Sequence, residues 1–363
     1  MSRILFDARA IADSGSHARG GIARVSKRIL AHLRETHSSD EIVLMTTGWR
    51  NPHAPTLSHP ERDEAEPRPY NTRSPIHLPL PNKLWSLACV LGLTSLDRVA
   101  EKIAKQKFDE LFLPNIGFIG TPRIPYTILV HDLSSLIEPK WFSWKMRLWH
   151  HAVRAKRLIQ NAANVWCVSE TTARDVERLL GVERKRVTVL PPDLIIGRQD
   201  TSAPLHPTTY DPSVHSGQAL RPTPYVISFG CGNPRKNIST AIAAAARVRE
   251  DASFQNLQLF IIGSSSHSPL PTPHSWITFL PSISDNERDH LYQNASALLY
   301  PSWYEGFGLP IHEAARFNIP ILASAHGALP ETAPKSTILI NPAKPHLWAG
   351  ALRNVLKKPS MEQ

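Results

Sequence analysis

Short apolar runs alternate with amphipathic stretches of helical spacing through both halves of this 363-residue chain. Strands that recur with a helix between them pair in parallel, and a parallel sheet needs helices on both faces, so the alternation selects an α/β architecture. In the first half, Ile4-Leu5-Phe6, Ile42 to Thr46, Glu110 to Leu113, Thr127 to Val130, Val165 to Val168 and Arg186 to Leu190 read as strands. Ile22 to Leu33 has helical spacing, and Thr171 to Leu180 reads as a helix capped by Ser169 and stopped by Gly181. The second half restarts with the strand Tyr225 to Phe229. It continues with Leu257 to Ile262, Ile277 to Leu280, Ala297 to Tyr300 and Pro320 to Ala323 as strands, and Ser239 to Arg249 and Asn286 to Ala295 as helices. Two such series imply two Rossmann-like domains, residues 1–192 and 225–363, each binding ligands outside the carboxyl ends of its strands. Residues 193–224 are rich in Pro, Ser, Thr and His without periodicity and read as a linker. The Pro- and Arg-rich stretch Asn51 to Pro81 reads as a long surface excursion of the first domain.

Composition narrows the partners. A hydrophobic content of 42% with 20% charged residues is that of an ordinary soluble globular protein. No apolar run reaches the roughly twenty residues of a membrane-spanning helix. The opening MSRILFDARAIAD breaks at Asp7 and reads as a first strand, not a signal peptide. Cys89, Cys167 and Cys231 are widely spaced and odd in number, which points to a reducing compartment and to neither a disulfide framework nor a zinc site. The expected location is the cytoplasm.

The net charge of +10 asks for an acidic partner. Nucleic acid is disfavoured, because neither zinc-finger spacing nor an RNA-binding aromatic signature occurs. Phosphorylated ligands and an anionic membrane remain. The segment from Lys140 to Arg157 mixes tryptophans with cations. It reads either as a basic amphipathic face on a membrane or, the preferred expectation, as a buried helix whose tryptophans pack in the core while Lys and Arg stems snorkel. Peripheral association at the inner face of a membrane stays an expectation from the charge.

The chemistry concentrates in Tyr300 to Ala315, YPSWYEGFGLPIHEAA. Glu305 and Glu313 stand with seven residues between them around the turn Gly306-Phe307-Gly308, and Pro310 suits the first turn of a helix. The order is strand, carboxylate, glycine turn, helix. A turn of this kind presents backbone N–H groups and a positive dipole end to an anion such as a phosphate. An acidic residue near a helix start is common on dipole grounds alone, so Glu313 by itself would be structural. After the strand ending at Phe229, Arg235 and Lys236 precede a helix they would oppose electrostatically, which favours an anion-binding role.

This segment is similar to the E-x7-E signature of the retaining glycosyltransferases of group 1, family 4. The resemblance implies the GT-B fold, two Rossmann-like domains facing each other across a nucleotide-sugar cleft, with residues 1–192 on the acceptor side. It implies that Glu305 contacts hydroxyls of the donor sugar and that Glu313 binds the ribose. The backbone of Gly306, Phe307, Gly308 and Leu309 would cradle the diphosphate and sugar. Arg235 and Lys236 match the phosphate-binding basic pair, where they would stabilise charge building on the leaving diphosphate. Gly20 and Gly21 resemble the glycine loop that approaches the diphosphate from the first domain. His131 and Asp132 resemble a His-Asp pair at a strand end, His131 contacting the sugar near the reacting carbon and Asp132 orienting its ring or touching the acceptor. Val168-Ser169-Glu170-Thr171, Gly327 to Glu331 and Leu339 to Pro342 match further segments, and Ser169 is assigned only a cap.

The implied activity is retaining transfer of a hexose, mannose-type by overall likeness, from a nucleotide-diphospho-sugar to a glycan or lipid-linked acceptor in polysaccharide biosynthesis. No D-x-D occurs, so no metal site is expected and no cofactor is assigned. Departures from the family pattern are Pro281-Ser282 and Asn318 at usual glycine positions and Cys231 at a usual cation. The chain also ends at Gln363, where relatives usually continue with helices crossing back to the first domain. That ending keeps a degenerate nucleotide-sugar-binding relative as the alternative. A nicotinamide-dependent oxidoreductase would also use Rossmann domains, but G-x-G-x-x-G does not follow the first strand.

Overall fold

The computed structural model describes residues 1–12, 20–48, 75–197, 224–230, 232–263, 274–280 and 283–357. The chain divides into two compact units, one of residues 1–133 and 144–199, the other of residues 134–143 and 200–363. Each is built on its own parallel sheet.

The first sheet comprises β1 (Arg3–Asp7), β2 (Glu41–Thr47), β3 (Ile76–Leu78), β4 (Glu110–Leu113), β5 (Tyr126–Val130), β6 (Asn164–Cys167) and β7 (Val187–Val189), in the order β3-β2-β1-β4-β5-β6-β7. Its central strands are largely apolar because helices cover both faces, as with the fully buried β5. The helix Gly21–Thr36 lays Val25, Ile29, Leu30 and Leu33 on the sheet. Ser169 caps the helix Glu170–Leu180 by accepting from Thr172 N at 3.1 Å, and Gly181 closes it with φ 67°.

The second sheet comprises β8 (Tyr225–Phe229), β9 (Gln258–Ile262), β10 (Ile277–Leu280), β11 (Ala297–Tyr300), β12 (Ile321–Ser324) and β13 (Ile338–Ile340), in the order β10-β9-β8-β11-β12-β13. One face is packed by Ala241, Ala244, Ala245 and Val248 of the helix Ile238–Arg249, with Trp348 and Leu352 of the helix Pro345–Lys357 beside them. The run of alanines lets that helix lie close to the strands. The other face is covered by Leu291, Tyr292, Ile311, Ala314 and Phe317. Each large apolar side chain buried this way contributes about 1.5–3 kcal/mol.

Both sheets reverse strand order beside their first strand, at β1/β4 and at β8/β11. Such a switch point opens a crevice at the carboxyl ends of the strands. In the second sheet that crevice is lined by the segments after Phe229 and after Tyr300.

Several expectations need correction. Residues 192–196, assigned to the linker apart from the first, form the helix Pro192–Ile196, whose Ile195 is buried and accepts from Arg28 at its carbonyl. The rest of that linker, residues 198–223, lies outside the described residues, as do residues 51–74 of the expected surface excursion. The end of the excursion is strand β3, paired with β2. The helix Trp144–Val153 is not a buried one: Trp144 is 63% exposed and only Val153 is buried. Of its two tryptophans only Trp149 turns inward, edge-on against Phe118.

Candidate active site

The site of the second unit grows from the two strands at its switch point. After β8 the chain turns through Asn233, whose side chain accepts from Arg235 N at 3.0 Å and starts a short 3-10 turn, Pro234–Lys236. This turn points both cations back toward the end of β11. There Lys236 Nζ donates to Glu305 Oε1 at 2.6 Å and to the Tyr300 hydroxyl at 2.9 Å. Arg235 Nη1 donates to Glu305 Oε2 at 2.9 Å and to the Tyr304 carbonyl at 2.8 Å. The Lys236 ammonium also lies 5.0 Å from the centre of the Tyr300 ring, within cation–π range. Trp303 N donates to the Arg235 carbonyl at 2.8 Å, so the two loops are tied through main chain as well.

Glu305 is 6% exposed. Burial pushes its carboxyl up, but Arg235 and Lys236 outweigh burial and hold it at about 2. Its neighbour Tyr300 is pushed well above the usual phenol range, by burial first and then by the Glu305 charge. The cluster holds two cations against one carboxylate and keeps a positive excess for an anionic ligand.

The glycine turn is held from outside. Ala328 N donates to the Glu305 carbonyl at 3.0 Å, and Thr332 Oγ1 donates to the Phe307 carbonyl at 2.6 Å. Gly308 caps the helix Leu309–Ala315 at φ 93°, where a Cβ would lie 2.5 Å from the Leu329 side chain. Pro310 occupies the first turn, as its missing N–H allows. On this helix Glu313 accepts from the Tyr292 hydroxyl at 3.3 Å and lies 3.4 Å from Arg288 Nε. His312, beside it, is buried against the Phe307 ring at 5.0 Å, and burial pushes its imidazole down to about 4 against the pull of Glu313.

The structure thus brings Arg235, Lys236 and Glu305 into direct contact and sets Gly306, Phe307, Gly308, Leu309 and Glu313 on the turn and helix that follow. Tyr300, Ala328, Tyr292 and Arg288 were not singled out from the sequence. Tyr300 carried no signal beyond its place in a strand, and Arg288 none beyond its place in a helix.

In the first unit, His131 follows β5 at the carboxyl end of its sheet. Its Nε2 lies 2.9 Å from the Pro114 carbonyl at the end of β4, so Nε2 carries the proton and Nδ1 is left as the acceptor. Burial lowers its pKa, against the raising effects of that bond and of Asp132, so the neutral ring is favoured. The Pro114 carbonyl thus helps to orient the ring, and Asp132 acts on it through its charge. Gly20 and Gly21 start the helix Gly21–Thr36 with no side-chain cap and no acidic residue in the first turn. Gly20 is extended at φ −69°, so its backbone conformation does not itself demand glycine. Among the described residues no group of His, Cys, Asp and Glu is arranged to hold a metal ion.

Two sheets of Rossmann type, with a basic pair and a carboxylate locked together at a strand-order reversal, define the GT-B class of α/β protein. The profile described as "Glycosyl transferases group 1" matches residues 216–363, and that described as "Glycosyltransferase Family 4" matches residues 19–192. The chain belongs to the group 1, family 4 glycosyltransferases. It is 25% identical over 243 residues to the O-antigen chain mannosyltransferase RfbU of Salmonella typhimurium, covering 64% of this chain and 61% of that relative. Its fold is similar to sucrose-phosphate synthase from Thermosynechococcus elongatus, with TM-score 0.61 at 17% identity, covering 99% of this chain and 91% of that one. Anabaena HepE in complex with UDP and glucose has the same fold, with TM-score 0.59 at 15% identity and 99% and 90% coverage.

Proposed function

We propose that this chain transfers a hexose from a nucleotide-diphospho-sugar to a glycan or lipid-linked acceptor, with retained anomeric configuration and without a metal ion, in building a polysaccharide. The carrying observation is the Arg235–Glu305–Lys236 cluster at the β8/β11 switch point. Departure of a nucleoside diphosphate builds charge on the β-phosphate, and cations already fixed in a buried setting stabilise that charge without reorganising. Arg235 offers a planar fork and Lys236 a point charge for this purpose. Glu305 holds both cations in place before the donor arrives, and its ionised oxygens retain lone pairs to accept from sugar hydroxyls.

In the same reading Glu313 receives the ribose hydroxyls, and the backbone of Gly306, Phe307 and Gly308 receives the diphosphate and sugar. His131 contacts the sugar near the reacting carbon, its neutral ring supplying Nδ1 as an acceptor. The acceptor hydroxyl attacks from the face the diphosphate leaves, and the departing phosphate oxygen takes its proton. A mannosyl donor such as GDP-mannose fits the likeness to RfbU, an O-antigen chain mannosyltransferase.

The test is a thermal-shift screen against GDP-, UDP-, dTDP- and ADP-sugars, with and without Mg2+. Saturation at about 100 times Kd would stabilise the protein by about 2.7 kcal/mol. A rise with one nucleotide that is indifferent to Mg2+ supports the proposal and names the base. No rise with any of them sinks it, as does full transfer activity in a folded Arg235→Ala/Lys236→Ala protein.

A further inference from the structure

Three polar side chains stand among apolar ones on one face of the first sheet. The pairings Ile4–Glu110, Phe112–Thr127 and Thr127–Asn164 join β1, β4, β5 and β6 in parallel register. With the two-residue alternation of a strand, they put Glu110, Phe112, Thr127, Asn164 and Trp166 on the same face. Together with Leu33 and His37 at the end of the helix Gly21–Thr36, these residues line a cavity of about 190 Å³. A cavity of ~150 Å³ admits benzene, so this one takes a slightly larger body. Phe112 and Trp166 form its aromatic side, with ring centres 5.1 Å apart and planes inclined at 69°. Its polar side is a relay: Asn164 Nδ2 donates to Thr127 Oγ1 at 3.3 Å, and Thr127 Oγ1 donates to Glu110 Oε1 at 2.6 Å. The relay commits the hydroxyl proton of Thr127 to Glu110 and leaves Glu110 Oε2 and Asn164 Oδ1 with lone pairs to offer.

Charge selects the ligand. Glu110 is half-buried, and among the described residues no cation pairs with it. A ligand ammonium would supply the missing counter-ion, donate to the open carboxylate oxygen and be attracted by the aromatic rings. A neutral sugar would satisfy lone pairs but leave the carboxylate uncompensated as the cavity closes around it. We propose that this cavity binds a small organic ammonium ion, its apolar body of about benzene size against Phe112 and Trp166 and its charged head on Glu110. Every lining residue belongs to the first unit. The cavity lies at the amino ends of the strands, whereas His131 follows the carboxyl end of β5, about 13 Å along the strand from Thr127. Ligand binding here is therefore separate from the residues assigned to sugar transfer and does not depend on that reading.

The test is titration of the full chain at neutral pH with benzylammonium and with benzyl alcohol, its uncharged counterpart, read on isotope-labelled indole N–H resonances. The Trp166 resonance is identified by its absence in Trp166→Phe. Benzylammonium shifts that resonance saturably, with a Kd of about a millimolar or tighter. Benzyl alcohol binds at least about tenfold more weakly, as loss of a charge-assisted contact requires. Glu110→Gln keeps an acceptor for Thr127, loses about tenfold or more in benzylammonium affinity and brings the two ligands level. The two-ligand comparison on the wild type decides the matter even where Glu110→Gln does not fold. Absence of a saturable Trp166 shift overturns the proposal, as does benzyl alcohol binding as tightly as benzylammonium, or undiminished binding in a folded Glu110→Gln protein. Glucose or mannose saturating the same resonance at a lower concentration than benzylammonium would assign the cavity to a neutral sugar and equally overturn it. Nucleotide thermal shifts on the same proteins show separately whether donor binding stands.

Discussion

At the scale of single residues, two buried titratable groups a few positions apart behave in opposite ways. Glu305 is kept ionised by Arg235 and Lys236, with its carboxyl at about 2 against an ordinary 4.5. A depressed carboxyl pKa stabilises the fold above the unfolded value and loses that contribution as pH falls through the folded one, on the order of 3 kcal/mol between pH 4.5 and 2. Glu305→Gln leaves two buried cations without their counter-ion, and the expected loss at neutral pH is about 3 kcal/mol. The gap between wild type and variant should close as pH falls from 4.5 toward 2, read by urea unfolding across that range; a gap independent of pH would refute the ion-pair account. His312 is held neutral by burial, with its pKa at about 4 and its Nε2 unpartnered. Because the unfolded ring protonates near 6.5, native stability falls as pH drops from 6.5 to 4. His312→Leu removes both the orphaned nitrogen and the acid sensitivity. It should be more stable by about 1 kcal/mol at pH 7, widening to about 3 kcal/mol at pH 5.

At the scale of elements, the site depends on how neighbouring segments approach the turn after Glu305. Gly327 has φ 62°, and a Cβ there would meet Glu305 N at 2.8 Å and its carbonyl oxygen at 2.9 Å. Those are main-chain atoms and cannot swing aside, so Gly327→Ala must displace the turn itself. Gly181 has nearly the same φ, 67°, with nothing within 4 Å of the added carbon. Gly181→Ala should therefore cost only the left-handed backbone penalty, about 1 kcal/mol, and leave donor affinity unchanged. Gly327→Ala should cost about 2 kcal/mol or more and weaken donor binding, measured by thermal shift titration; equal effects of the two would argue against the bracket. The pattern of the chain made most of these elements readable in advance. Leu111–Leu113 and Ala297–Tyr300 are continuous apolar runs, and Tyr225–Phe229 is broken only by Ser228, because both faces of the sheet are buried. β3 and β13 are three residues each, too short to show a period. The helix Asn82–Val90 escaped because its apolar residues lie on both faces. In the site, the carboxylates and the basic pair were legible as chemistry at fixed spacing. Tyr300 and Ala328 act through tertiary contact from separate segments, and neither side chain type marks that contact locally.

At the scale of the whole molecule, the proposed function has the net charge of +10 and the buried cluster act on different steps of donor binding. Long-range attraction of a polyanion is a property of the summed surface charge and is screened within about 8 Å at physiological salt. The contacts proposed to hold the diphosphate are short and buried, with side chains of Arg235 and Lys236 only 13% and 16% exposed, where screening is weak. Raising salt from low to several-fold physiological concentration should therefore slow association several-fold while changing dissociation little. Stopped-flow binding of a fluorescent nucleoside diphosphate, with on- and off-rates resolved at each salt concentration, reads the two steps apart. Arg235→Lys should show the complementary behaviour, because a point charge preserves the net charge but not the planar fork: an unchanged on-rate, a faster off-rate and the same salt slope. Salt dependence carried mainly by the off-rate would mean that the diphosphate rests on exposed surface charge, and the Arg235–Glu305–Lys236 cluster would lose its place as the binding site.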